Sequence, residues 1–452
     1  MKGITERLAE FASSLEFEDL PSDVVLGAKR ALLDTIGVML AGVHEEGSDI
    51  VFEYARSLAA SPEATVVGSG LRTSAAYAAL SNGAFGHALD FDDVNGSMRG
   101  HPSVPLAPAV LAIAEKLGLS GQAVLTAFAG GFEVECKLGR ALGPSSYRRG
   151  WHATSVLGSL GAAAACANLL GLGSERTRHA LGIAASMASG SRQNFGTMTK
   201  PLHAGLAARA GVESALLAAG GFTADPEIVE APLGFGALFS PADDFRPEGL
   251  GDFGEPWDIV TPGISVKKYP CCYMTHRALD ATLKASGARP VAGDEVSQII
   301  VRVPEGSTSA LIHHRPQTGL EGKFSLEYCV AAAVLDGAVR FRSFEDEAVR
   351  RPEAQELLRR VEVVYAPREE RGPQPAAVTV RLRDGSELSG EVFVEHGSAA
   401  DPLSWEELEA KYRDCASRIL RQEQVQASYE MISRLESLRR VEDLMMALAV
   451  SD

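Results

Sequence analysis

Apolar positions over roughly the first 260 residues recur at the three-to-four spacing of helices that bury one face. After Pro21, which suits the first turn of a helix, Val24, Ala28, Ala31, Leu32, Ile36 and Met39 share one side of a predicted helix running to Leu40, and Gly42 ends it. The same periodicity predicts helices over 74–89, 105–117, 121–142, 155–170, 175–188 and 203–219, with Ser74 as an N-cap. Several of these segments carry Gly and Ala at their contact positions, as in GSLGAAAACANLLGLG. Small residues at helical spacing let backbones approach closely, which describes a helical domain rather than a coiled coil.

The period changes near Thr261. Residues 296–303 and 361–365 are rich in β-branched side chains, and 377–382 and 388–394 flank Asp384-Gly385, a hairpin signal. Helices are predicted between these strands, over 275–286 and 326–336. Helical spacing returns over 405–418 and 425–449. The expected fold is therefore mainly α, with a large all-helical domain over 1–262 and a smaller α+β domain over 263–403. The helices of 404–452 either complete the first domain or extend the second.

Composition narrows the function. The 452 residues carry 43 Lys and Arg against 59 Asp and Glu, a formal net charge of −16. Such a mean field repels nucleic acid and anionic membrane surfaces, so neither is an expected partner. Aromatics are only 6% of the chain, so its core must come mostly from Ala, Leu, Val and Ile. The six cysteines form no CxxC or CxxH pair, which gives no support to a disulfide framework, structural zinc or an iron–sulfur cluster. The first twenty residues are charged throughout and resemble no signal peptide, so a reducing cytoplasm is expected.

Four polar clusters interrupt the apolar pattern. The first, GHALDFDD followed by RGHP, contains Asp90, Asp92, Asp93 and His101. Three carboxylates within four residues repel one another unless they are paired, hydrogen-bonded or protonated. A capped, solvated acidic turn is the plain alternative, and no metal is expected there. The second is RRGWH, with His152 just before a helix. The third, GSRQNFGTMTKPLHAG, holds Arg192, Gln193, Thr199, Lys200 and His203 and reads either as an interhelical loop or as a donor cluster for carboxylates. The fourth, VKKYPCCYMTHR, places Lys267 and Lys268 before a proline turn, with Cys271 and Cys272 expected to be packing residues.

Taken in order, ALLDTIGVMLAG, SNGAFGHALDFDD, HPSVPLAPAVLA, GWHATSVLGSLGAAAA, NFGTMTKPLHAG, KKYPCCYMTHRALDA and KFSLEYCVAAAVLDG closely resemble the MmgE/PrpD family over about two thirds of the chain. That family includes 2-methylcitrate dehydratase, cis-aconitate decarboxylase and iminodisuccinate epimerase. The resemblance implies a large helical domain with a smaller α+β lid, a homodimer, and chemistry without metal or organic cofactor. It also implies catalytic roles for Asp90, His101, His152, Lys200, Lys267 and Tyr328, the tyrosine of FSLEY. Arg192, Gln193, Thr199, His203 and Lys268 are expected to bind substrate carboxylates. His101 is the expected acid/base, with Asp90 orienting it or shuttling a proton. Lys267 is the alternative base, provided neighbouring cations lower its pKa.

Two positions depart from the decarboxylase-like pattern. Val94 stands where such members carry Thr, and Cys272 stands where they carry His after the proline turn. The expected activity is therefore a dehydratase-type lyase on a small di- or tricarboxylate resembling 2-methylcitrate. The alternatives are an epimerase of a dicarboxylate such as iminodisuccinate, or a cis-aconitate-type decarboxylase. A silent scaffold and a metal hydrolase are the readings from other classes.

Overall fold

The computed structural model describes residues 2–240, 244–367 and 374–450. The predicted domain ranges also contain Met1, 241–243, 368–373 and 451–452, which lie outside the described residues. The chain is mainly helical, with a four-stranded sheet in its second half and a two-stranded ladder between Ala64–Thr65 and Arg72–Thr73. Among the described residues no helix is long and apolar enough to cross a membrane.

Two main hydrophobic cores organise the molecule. One draws on residues between Ile4 and Val266 and again on Leu403–Leu448. The Trp405–Ala416 helix packs on the Ser22–Ala41 helix, so the C-terminal helices join the helical body. The other core lies mostly between Tyr269 and Val380. It sits between the sheet and the His276–Ser286 and Leu326–Asp336 helices. In the sheet, Val296–Pro304 runs parallel to Val361–Ala366 and antiparallel to Ala376–Leu382, which pairs antiparallel with Glu387–Val392. Val296, Ile299, Val301 and Val303 are buried while Ser297 and Arg302 are exposed, the alternation of a sheet covered on one face.

Two predicted elements differ. The helix expected from His203 begins at Thr199, because Pro201 falls in the first turn, where its missing N–H costs nothing. The helix expected over 425–449 is two helices, Gln422–Ser433 and Val441–Ala447. The intervening chain bonds to the Leu119–Gly121 turn instead of to itself: Gly121 N donates to Leu438 O at 2.8 Å and Val441 N donates to Leu119 O at 2.9 Å.

Small residues set the crossing that matters for the site. The Ala75–Ala88 and Thr199–Ala219 helices meet at Gly83 and Gly205. A Cβ on Gly205 would lie 2.2 Å from the Leu80 carbonyl oxygen, and one on Gly83 would lie 2.8 Å from Gly205 Cα. Only glycine permits this approach, and it brings the end of one helix against the start of the other.

Candidate active site

The site forms where these helices terminate. His87 occupies the last turn of the Ala75–Ala88 helix, and the chain leaves through Leu89 into Asp90, whose φ of +51° is left-handed. Lys200 sits in the first turn of the Thr199–Ala219 helix, adding its charge to a positive helix end. Lys200 Nζ donates to Asp90 Oδ1 at 2.5 Å and to His87 Nε2 at 2.7 Å. Lys267 Nζ lies 3.0 Å from Asp90 Oδ2 and donates to the Asp90 carbonyl at 2.7 Å. Behind them, Asp92 faces Nδ1 of His87 at 2.9 Å and Nδ1 of His101 at 3.1 Å. The result is a continuous chain of polar contacts, Asp92–His87–Lys200–Asp90–Lys267, inside the protein.

Burial and charge oppose each other across this chain. Burial would raise the Asp90 carboxyl, but the Lys200 and Lys267 charges outweigh it and hold Asp90 well below the usual carboxylate range. Lys267 is raised: burial works against its charge, and Asp90 and Asp92 more than restore it. That overturns the expectation of Lys267 as a base with a lowered pKa, because the carboxylates around it outweigh the cations. The histidines go the other way. Burial, aided by the Lys200 charge, lowers His101, takes His87 to about 3 and His203 to about 4, and pushes His152 well below its ordinary value. All four are neutral near pH 7. His101 Nδ1 is also 3.0 Å from the Asp93 carbonyl. With Nδ1–H held there and by Asp92, Nε2 keeps its lone pair and points toward Asp90 Oδ1, 3.8 Å away.

A cleft of about 780 Å³ opens above this cluster, between the helical body and the sheet-bearing region. Asp90, Val94, His101, His152 and Lys200 line one side, Cys272, Tyr273, Arg277 and Phe324 the other, and Arg99 and Arg148 add cationic wall. Val94 is fixed by reciprocal backbone bonds with Ser265, both 2.9 Å. Cys272 is a neutral thiol, pushed up to about 12 by burial and Asp90. His152 lies with its ring stacked 5.7 Å from that of His87, and its Nδ1 is 3.1 Å from His203 Nδ1.

The structure thus gathers Asp90, His101, His152 and Lys200 on the cleft wall, with Lys267 beneath Asp90 and His203 behind His152. Five other expected residues are placed elsewhere. Tyr328 is fully buried in the sheet-side core, and its hydroxyl donates to the Ser343 carbonyl. Lys268 turns outward to Asp280, 3.1 Å away. Arg192 stacks on Tyr147 at 3.7 Å and donates to the carbonyls of Tyr147 and Ser309, both at 2.8 Å, so its fork bridges the two regions. Gln193 is exposed, and Thr199 faces a separate cavity of about 560 Å³. His87 and Asp92 were given no site role from the sequence, although both stand in GHALDFDD. No spacing in the sequence marks them, because Asp90 lies beyond the helix end and Lys200 joins it to His87 only in the fold.

His87, Asp90, Asp92 and His101 bring potential metal-ligating atoms within 4.8 Å of one another. Yet both Asp90 oxygens face ammonium groups, and both His87 nitrogens are engaged. A divalent cation would have to displace two lysines, so this donor set fits proton handling better than a metal.

Residues 6–248 match the MmgE/PrpD N-terminal domain and residues 269–437 the MmgE/PrpD C-terminal domain. The chain is 32% identical to cis-aconitate decarboxylase of Homo sapiens, covering 97% of this chain and 93% of that protein. It is 30% identical to the Mus musculus cis-aconitate decarboxylase, covering 97% and 92%. Identity to the Aspergillus terreus cis-aconitate decarboxylase is 29%, covering 98% and 95%. With both halves of the chain matched and the polar cluster formed from the motifs that first carried the resemblance, the protein belongs to the MmgE/PrpD family.

Proposed function

We propose that the protein is a cofactor-independent lyase acting on a small tricarboxylate, working by proton transfer at a carbon next to a carboxylate. The observation that carries this reading is neutral His101 beside the Lys200–Asp90–Lys267 cluster at the base of the cleft. The cleft lining carries Arg99, Arg148, Lys200 and Arg277 against Asp90 and Glu395, a positive excess that suits a substrate carboxylate and the negative charge that develops beside it. Arg148 and Lys200 are the groups placed to meet carboxylates. His101, with Nδ1 held, acts through Nε2 as base and then acid. His152 is the second proton-handling group. We take the two main cores as two domains, the C-terminal helices completing the first and the second acting as a lid.

Two reactions belong to this class. In dehydration His101 takes the carbon-bound proton, the C–O bond breaks, and hydroxide leaves as water with a proton from the acid. In decarboxylation a carboxylate leaves as carbon dioxide and the acid protonates the carbon. Val94 and Cys272 favour the first, because they remove two polar groups of the decarboxylase-like pattern from the cleft wall. The named relatives favour the second. The test is incubation of the purified chain with 2-methylcitrate, citrate, cis-aconitate and iminodisuccinate, read by NMR and mass spectrometry. Loss of 18 mass units marks dehydration and loss of 44 marks decarboxylation. Deuterium uptake with a new stereoisomer of otherwise unchanged composition marks the epimerase alternative. No turnover of any tricarboxylate overturns the reading. A homodimer in the cytoplasm accompanies it, and sedimentation of the purified chain tests the dimer.

A further inference from the structure

Three consecutive carbonyls of the Asp90 turn each accept a hydrogen bond from a different lysine. Leu89 O takes Lys323 Nζ at 2.8 Å, Asp90 O takes Lys267 Nζ at 2.7 Å, and Phe91 O takes Lys411 Nζ at 2.8 Å. These lysines are distant in sequence: one precedes the Leu326–Asp336 helix, one leads into the proline turn, and one lies on the C-terminal Trp405–Ala416 helix. The two outer lysines each hold a second carbonyl. Lys323 reaches Pro270 O at 3.1 Å, and Lys411 reaches Lys267 O at 2.9 Å. Each therefore clamps one end of the 89–91 turn to one end of the 267–270 segment. Lys411 is itself anchored by Asp34 at 2.6 Å and lies 3.7 Å from the centre of the Phe91 ring.

Stability alone does not account for this device. Lys323 is 3% exposed, and its hydrogen-bond acceptors are two neutral carbonyls. Removing an ammonium from water for such partners is a poor source of folding energy. What the arrangement does supply is position. Asp90 is left-handed, a conformation disfavoured for a residue with a Cβ, and it persists only where its surroundings over-determine it. Neither Lys323 nor Lys411 lines the cleft.

We propose that Lys323 and Lys411 are positioning residues, a pair of ammonium clamps that lock the left-handed Asp90 turn onto the 267–270 segment and so set the Asp90–Lys200–Lys267 geometry without touching substrate. The proposal rests on the functional reading above for its kinetic consequence, but not for its structural one. It makes the Trp405–Ala416 helix part of the active centre, although the cleft itself is lined from other segments.

The test compares full-length Lys323→Met and Lys411→Met with Arg72→Met as reference. Arg72 pairs with the fully buried Glu115 carboxylate and lines no part of the cleft. Hydrogen exchange of the backbone amides over 87–95, measured without substrate, is expected to rise at least about tenfold in both lysine variants and to stay unchanged in Arg72→Met. On the best tricarboxylate, kcat is expected to fall about 100-fold while KM stays within about threefold. Unchanged exchange over 87–95, or a kcat loss no larger than in Arg72→Met, overturns the proposal. If a methionine variant does not fold, Asp34→Asn loosens Lys411 at nearly constant volume. Faster exchange over 87–95 is then expected, and unchanged exchange is again fatal. Absence of turnover on every tricarboxylate would sink the functional reading alone, because exchange judges the clamps without substrate.

Discussion

The two walls of the cleft are built on different physics. On the helical side, Asp90, Lys200, His101 and His152 converge from the ends of close-packed helices, and nearly every polar atom there has a charged or proton-carrying neighbour. On the sheet side, Cys272 is a neutral thiol, Phe324 is apolar, and Arg277 is held by Glu395 at 2.7 Å and by the Gln374 carbonyl at 2.8 Å. One wall can move protons and the other can shape and exclude. The difference comes from architecture. The helix ends of the helical side gather unpaired backbone groups and charge, whereas on the other wall the first turn of the His276–Ser286 helix carries Arg277 already engaged by Glu395 and the Gln374 carbonyl. Lys267 is the exception, a sheet-side lysine whose charged end belongs to the helical wall.

Removing Asp90 is the most severe way to test that contrast. Asp90→Asn leaves Lys200 and Lys267 facing each other with their shared counter-charge gone. Breaking a buried pair on one side costs about 3–5 kcal/mol, and denaturant unfolding should show a loss of that order. Turnover should fall by at least about 1,000-fold, since the charge arrangement that places Lys200 and Lys267 beside His101 is lost, although Asp92 and the Asp93 carbonyl still hold the imidazole. Wild-type turnover in a folded Asp90→Asn protein would refute the division of labour between the walls. His101→Asn should follow, with kcat down about 100- to 1,000-fold and stability little changed, because a general acid/base is removed without stranding a buried charge. Steady-state kinetics beside a melting curve separates these two cases.

The helical wall was largely legible before the structure, and the sheet wall was not. Asp90, His101, His152 and Lys200 stand in short motifs at helix ends, where a polar residue among apolar ones needs a reason. His87 and Asp92 escaped although they stand in the same motif, since their importance lies in a chain of contacts through Lys200 that sequence spacing does not show. Lys323 and Lys411 were invisible for a stronger reason. Each looks like an ordinary surface lysine, and only the tertiary fold brings its ammonium to a carbonyl of the Asp90 turn. Lys268 failed oppositely: it shares a motif with Lys267, but it stands in the bend that enters the proline turn, so one lysine turns inward and the other toward Asp280. Of the fold, the helices and strands were readable from periodicity. The break near Arg434 was not, because it depends on bonds to the distant Leu119–Gly121 turn.

Tyr328 sharpens the contrast from the sheet side with a smaller effect. Its hydroxyl is engaged by the Ser343 carbonyl in the buried core. Tyr328→Phe leaves that acceptor unpaired and should cost about 1–2 kcal/mol of stability. A residue outside the cleft should leave kcat within about twofold of wild type. A large kcat loss with unchanged stability would place the tyrosine in the chemistry after all and make the sheet wall catalytic.

The smallest effect concerns how the helical wall keeps its histidines neutral. His203 is 5% exposed, and burial together with Lys200 takes its pKa down to about 4. In the unfolded chain it titrates near the ordinary value of about 6.5. Above about 6.5 both states carry neutral imidazole, and His203 adds no pH dependence. Between about 6.5 and about 4 the unfolded chain binds a proton that the native state refuses, so stability falls as the pH falls. Below about 4 both states are protonated and the contribution is constant. His203→Asn removes this one group while other buried acids and histidines remain, so the informative quantity is the difference between two unfolding free energies. Wild type relative to His203→Asn should lose on the order of 1–2 kcal/mol between pH 7 and about pH 5, with no divergence between pH 7 and pH 8. Parallel curves down to pH 4 would mean that His203 carries its proton in the native state. The His152–His203 contact would then be a charged one, and the helical wall would hold more positive charge than its geometry assigns.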